Sequence, residues 1–256
     1  MRSLVTLAIL AFQLPAFAAD APAADKLIAQ ALQAHQAQEK LGLKYTYKEE
    51  EDSYAFGKKG DRLEPGRKTY DVILLEGENF RKLVAINGRP LTDKEQKQVD
   101  KEMATAREER KKSSFFKFTR TVNLGGLDEL QRLYDNTVSG EEVVNGHKTW
   151  LVQSKPKAGM KPATKEDEEA MCSLRATWFD QEEGVVLKER FTVMKATNSF
   201  QPGTQLDREF VKVGDAWLLD NYTWKGQSKL LPVNALRSRF ESRSLFSGYK
   251  RAESGK

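Results

Sequence analysis

Two hydrophobic periods divide this chain. In residues 23–40 apolar positions recur at helical spacing, with Leu27, Ile28, Ala31 and Leu32 on one face and His35 at its end. That spacing predicts a helix stopped at Gly42, with His35 as a partly buried packing residue. The pattern then changes to alternation. Leu43, Tyr45 and Tyr47 alternate with Lys44, Thr46 and Lys48, as in a half-buried strand. Residues 56–67 are polar, contain three glycines and one proline, and predict a mobile loop. Two strands are expected at 68–76 and 80–86, separated by Gly77-Glu78-Asn79 and closed by Asn87-Gly88.

Residues 92–112 interrupt this alternation. Thr92 and Glu95 form a capping box, and the segment beyond carries only Val99, Met103 and Ala106 as an apolar stripe. Such a helix can cover a groove but cannot be buried on all sides. Leu127, Leu130, Leu133 and Tyr134 predict a second, short helix. Hairpins follow. Asn145-Gly146 joins strands at 141–144 and 148–154, Asn-Gly being the strongest short hairpin signal. Residues 155–169 read as a charged loop with two prolines. Strands at 174–179 and 185–194 flank a turn whose Asp180, Glu182 and Glu183 are expected in solvent. Strands at 206–213 and 217–224 flank Gly214-Asp215, and one or two more are expected within 231–249. Short turns make sequential strands pair antiparallel. The expected fold is mainly β (α+β): a curved antiparallel sheet or half-barrel, with an N-terminal helix and one charged inserted helix. Two packed β-subdomains are the alternative.

The N-terminus decides the compartment. Met1-Arg2-Ser3 precedes a nearly unbroken apolar run over 4–17, and Ala16-Phe17-Ala18 offers small residues where a signal peptidase reads. The run is shorter than the ~20 residues needed to span hydrocarbon. A signal peptide over 1–18, cleaved after about Ala18, leaves one β-rich periplasmic domain over 19–256. Cys172 is the only cysteine, so no internal disulfide is available. It also lies far from the cleavage site, which excludes lipidation of a first mature cysteine. Cys172 is expected to be a small, partly buried hydrophobe. Net charge falls from +5 to +4 when Arg2 leaves with the signal. In an exported protein that balance suits an anionic membrane surface or a negatively charged partner, not nucleic acid.

Enzyme chemistry is poorly provided for. His35 and His147 are the only histidines, and no Gly-x-Ser-x-Gly elbow accompanies them. Clustered His and Cys for zinc are lacking, as are a P-loop and a Gly-x-Gly-x-x-Gly. Carboxylates are abundant, but no pair is singled out as a glycosidase would need. The expectation is a binding protein with no catalytic residue, metal or cofactor.

Aromatic residues carry the binding hypothesis. Trp150, Trp178, Phe179, Phe191, Phe210, Trp217, Tyr222 and Trp224 all fall on predicted strands, mostly as ordinary core. A curved sheet covered by one or two helices leaves space that becomes an apolar cavity for lipid chains. Val185, Leu187, Phe191 and Val193 share one strand face, because they alternate with Val186, Lys188, Arg190 and Thr192. Tyr222 and Trp224 share a face of a later strand. With Trp178 these residues are the candidate ligand cavity. A second candidate surface interleaves Arg110, Lys111, Lys112 and Lys117 with Phe115 and Phe116, a pattern suited to an anionic bilayer or a partner. The alternative there is a core strand, since Phe-x-Phe is also strand spacing.

The segments Gly146-His147-Lys148-Thr149-Trp150-Leu151-Val152 and Ala176-Thr177-Trp178-Phe179-Asp180, with the turn and return strand to Glu189, resemble the LolA-type lipoprotein carriers and their LppX-like and RseB-like relatives. Residues 70–96 resemble envelope proteins of the same layout. The resemblance implies an N-terminal helix before a long antiparallel meander, and lipid or lipoprotein acyl chains as cargo. Relative to the small carriers, the charged helix at 92–112 reads as an insertion. RseB-like relatives imply the other option, a sensor or scaffold that binds an envelope protein.

Overall fold

The structure, a computed structural model, describes residues 21–42, 44–54, 56, 61–112, 126–197, 200–227 and 239–252. The apolar stripe of the first segment forms α1 (Ala24–Gly42), with Leu27, Ile28 and Ala31 buried. His35 is exposed, contrary to expectation. Past Ala31 the inward position passes to Ala34, which packs beside Val185 and Trp217. The alternating segments form β1 (Tyr45–Tyr54), β2 (Gly66–Leu75) and β3 (Glu78–Ile86), followed by the two-residue β4 (Arg89–Pro90). Then come α2 (Asp93–Lys112), α3 (Leu127–Leu133), β5 (Tyr134–Val144) and β6 (His147–Pro156). The chain continues through α4 (Lys165–Ala170), β7 (Ser173–Asp180), β8 (Val186–Val193), β9 (Gln205–Val213), β10 (Ala216–Gln227) and β11 (Arg239–Arg251).

Among the described residues these eleven strands form one antiparallel sheet in the order β4-β3-β2-β1-β11-β10-β9-β8-β7-β6-β5. The sheet is curved and is not closed into a barrel. β1 lies beside β11, from Tyr45 opposite Arg251 to Tyr54 opposite Glu241. That long-range pairing joins the N-terminal and C-terminal meanders, so the alternative of two subdomains is replaced by one sheet. Where α1 and α3 meet the sheet, Ile28, Leu130, Leu133, Tyr134, Val152 and Phe179 form a closed core. Each such side chain contributes about 1.5–3 kcal/mol by leaving water.

Two expectations are corrected. The loop at 155–169 contains α4. Thr164 Oγ1 accepts the amide of Asp167 at 3.1 Å, and Arg132 grips the Asp167 carboxylate at 2.7 and 3.0 Å. A six-residue helix held by caps has no apolar period to read. Asp180 is buried rather than solvated. Its Oδ1 accepts the amides of Glu182 and Glu183 at 2.9 and 2.6 Å, and its Oδ2 lies 3.2 Å from His147 Nδ1. A carboxylate at this turn satisfies amides that the ladder leaves open.

α2 follows its sequence pattern. Glu95 accepts the Thr92 amide at 2.8 Å, completing the capping box, and Val99 is buried. Residues 113–125, with Phe115, Phe116 and Lys117, lie outside the described residues, as do the side chain of Lys112 and the expected signal peptide.

Candidate functional site

Strand register sets residues into rows that cross the sheet. Directly opposite residues share a face. One row runs Ser244, Tyr222, Arg208, Glu189, Thr177, Val152 through β11, β10, β9, β8, β7 and β6. The next runs Trp224, Leu206, Phe191, Arg175, Ser154. Val152 belongs to the core under α1 and α3, so both rows lie on the helix-covered face.

That face is not purely apolar. The Arg175 side chain is 1% exposed and Glu189 8%. Glu189 accepts from Arg175 Nη2 at 3.3 Å and stands 2.6 Å from Arg208 Nη2. The Arg175 and Arg208 guanidiniums lie 4.4 and 5.3 Å from the centre of the Phe191 ring, in cation–π contact. Arg175 Nη1 also donates to the Gly126 carbonyl, at the start of α3, at 2.9 Å. Burial lowers the Arg175 pKa from its ordinary value, against the pull of Glu189. Burial pushes Glu189 up, but Arg208 and Arg175 outweigh it and hold the carboxylate below the usual glutamate value. Further along the face, Arg81 grips Glu49 at 2.6 Å and Glu51 at 2.7 Å. Tyr222 is pushed up to about 12 by burial, against the opposing charge of Arg208 and with a smaller push from Glu49.

Beyond the charged row stands an aromatic wall. Phe200 and Trp224 meet edge to face at 5.1 Å, and Trp224 and Phe240 at 4.9 Å. The wall adjoins a pocket of about 260 Å³ between the ends of β10 and β11, lined by Phe56, Pro202, Gly226 and Phe240 with Lys225 and Arg239. One lining glycine permits a close approach. A Cβ on Gly226 would stand 2.4 Å from Thr204 Oγ1 and 2.6 Å from Thr204 Cα.

The structure divides the seven cavity candidates. Phe191 and Tyr222 pack together around Leu206, and Trp224 stands opposite Leu206. Val193 is buried beyond them, and its amide donates to the Thr204 carbonyl. Val185 and Leu187 are buried in a separate cluster with Val144, Trp178 and Trp217, against which Ala34 of α1 packs, and a register shift in the β7–β8 pairing opposite Trp178 and Phe179 lies between them and Phe191. Trp178 alternates with Thr177 and Phe179 and so faces away from Phe191, donating to Glu142 at 2.7 Å.

The sequence reading missed Arg175, Glu189 and Arg208. A signal was present: Glu189 has the parity of Phe191 and Val193, so it falls on the buried face of its strand. Of the basic surface, Arg110 is folded inward. Its side chain is 7% exposed and donates to the carbonyls of Leu75, Glu78 and Asn79 at 2.8, 3.2 and 3.0 Å. Lys111 is exposed, 3.9 Å from Glu108. Among the described residues no three His, Cys, Asp or Glu are grouped to hold a metal, and no helix is long and apolar enough to cross a membrane.

No family model matches the chain, and no curated protein does. Solved structures do. A domain named for outer-membrane lipoprotein sorting from Vibrio parahaemolyticus has 12% identity and a TM-score of 0.42, covering 91% of this chain and 95% of its own. A DUF1329 family protein from Desulfovibrio piger has 13% identity and a TM-score of 0.38, with the same coverage. A LolA superfamily protein from Nitrosomonas europaea has 8% identity and a TM-score of 0.35, covering 92% and 96%. At such identities and scores, what those proteins do is not carried to this chain.

Proposed function

We propose that this protein is exported to the periplasm and acts without catalysis, holding an acyl chain, free or on a lipoprotein, against the helix-covered face of its sheet. One observation carries the reading. Tyr222, Trp224 and Phe240 are only partly buried and lie on one face, and Phe240, in contact with Trp224, lines a pocket at the ends of β10 and β11. Large aromatic surface left partly in water marks a place where an apolar ligand gains by burial. The aromatic residues stand beside charged ones, Lys225, Arg239 and Glu241 at the pocket and Arg208 further inward, which fits an amphiphile better than a hydrocarbon.

The test is direct. The mature protein is purified, extracted with organic solvent, and the extract analysed by mass spectrometry, with uptake of a fluorescent fatty acid as the second readout. Co-purified acyl lipid, or saturable uptake, supports the reading. Repeated absence of both overturns it.

A second reading, binding of an envelope protein, is favoured by β5. It is an edge strand of eleven residues, with Val143 70% exposed. An edge strand can accept a partner strand, although Asp135, Glu141 and Glu142 blunt this one. A stoichiometric protein pulled from envelope extracts after lipid removal would favour this reading over cargo binding.

A further inference from the structure

Two arginines on the helix-covered face share one carboxylate. Arg175 and Arg208 both contact Glu189, and both lie over the Phe191 ring. Glu49 and Glu51, the carboxylates further along the face, are taken by Arg81. The Arg175–Glu189–Arg208 group therefore carries one positive charge in excess, in a place where Arg175 and Glu189 are almost wholly buried. Around it, polar atoms lack partners among the described residues: Arg175 Nε, Arg208 Nε, Ser154 Oγ and Thr177 Oγ1. Register brings these together. Ser154 is directly opposite Arg175, and Thr177 is directly opposite Glu189, two residues along from Arg175. Ser154 is 3% exposed and Thr177 0%.

Buried polar groups are costly unless hydrogen-bonded, and a buried unneutralised charge costs more. A row of two hydroxyls and two guanidinium N–H groups, all able to donate and with one positive charge in surplus, is complementary to an oxyanion. Access exists at Arg208, whose side chain is 24% exposed. The row containing Phe191 and Leu206 leads from this group to Trp224 at the aromatic wall.

We propose that Arg175 and Arg208, with Ser154 and Thr177, seat one oxyanion, a carboxylate or phosphate headgroup, whose acyl chain runs past Leu206 towards Trp224 and the pocket. This rests on the acyl-binding reading above and narrows it to anionic amphiphiles. Glu189 holds the two arginines in place; it does not contact the ligand.

The experiment uses the full mature chain and four probes: laurate, dodecyl phosphate, dodecanol and inorganic phosphate, each titrated by calorimetry. Laurate and dodecyl phosphate are expected to bind about tenfold or more tightly than dodecanol, the scale of a charge-assisted hydrogen bond. Arg208→Gln should lower both anions to the level of dodecanol and leave dodecanol unchanged. Thr177→Val keeps the side-chain shape and removes a buried orphan hydroxyl. It should keep the melting temperature at or above that of the parent while weakening laurate several-fold. Equal binding of laurate and dodecanol overturns the seat while sparing acyl binding, and assigns the orphan atoms to buried water. Binding of inorganic phosphate without any amphiphile keeps the anion site and overturns acyl binding. Binding of none overturns both. Unchanged laurate affinity in both variants also overturns the seat.

Discussion

Replacing Glu189 by Gln tests whether the helix-covered face is held by its charges. The variant keeps shape and one hydrogen-bonding group, but removes the only carboxylate shared by Arg175 and Arg208. Breaking a buried ion pair from one side costs about 3–5 kcal/mol, because the remaining charge stays buried. Arg175 is 1% exposed and loses its counter-charge outright, whereas Arg208, at 24%, recovers part of the loss from water. The expected cost is therefore near the lower end, about 3 kcal/mol. For a chain of this length that lowers the melting temperature by roughly 6–12 °C. Arg190→Gln is the control. Its pair with Asp207 is 43% and 23% exposed, so its loss should cost no more than about 1 kcal/mol. The pH dependence has a definite sign. Arg208 and Arg175 hold Glu189 below the ordinary glutamate value, so its contribution is full above the unfolded value of about 4.3 and is lost as pH falls through the folded value. The stability gap between parent and variant should be flat at neutral pH and close in acid. Urea unfolding followed by circular dichroism measures it. A Glu189→Gln cost equal to that of Arg190→Gln, or a gap that widens in acid, would refute the reasoning.

Other expectations are more local. Gly226→Ala places a Cβ into Thr204 and should cost about 1–3 kcal/mol in urea unfolding; a neutral result would show that the loop at 202–204 gives way. Thr164→Ala should cost about 1 kcal/mol by removing the cap of α4, and Thr164→Asn should recover most of it. Lys111→Glu with Lys112→Glu should weaken co-sedimentation with anionic vesicles at low salt without lowering the melting temperature; binding equal to the parent removes the docking role. Arg110→Ala should instead lower stability, since that guanidinium serves three carbonyls of the β2–β3 hairpin.

Most of the sheet was legible because its strands alternate and its turns carry Gly, Asn and Asp. Asn87-Gly88, Asn145-Gly146 and Gly214-Asp215 each close a hairpin in the structure. The pairing of β1 with β11 was not legible, because no local pattern reports a partner so far along the chain. The candidate site was half legible. Parity placed Phe191 with Val193 and Tyr222 with Trp224. The same parity sends Trp178 to the other face, and it does not report that Val185 and Leu187 join a separate cluster beyond a register shift. The charged row is not legible as a group, because its members come from three strands. Arg175 and Glu189 are buried because each finds the other across β7 and β8, and a pair across strands is invisible in one strand's pattern.

The central claim is that an acyl chain lies against Trp224. Quenching of tryptophan fluorescence by a brominated stearate, with unbrominated stearate as reference, tests it most directly. The account predicts saturable quenching in the parent that is largely lost in Trp224→Phe, with Trp150, Trp178 and Trp217 still emitting. Quenching of the same depth in Trp224→Phe, or none in the parent, would contradict it.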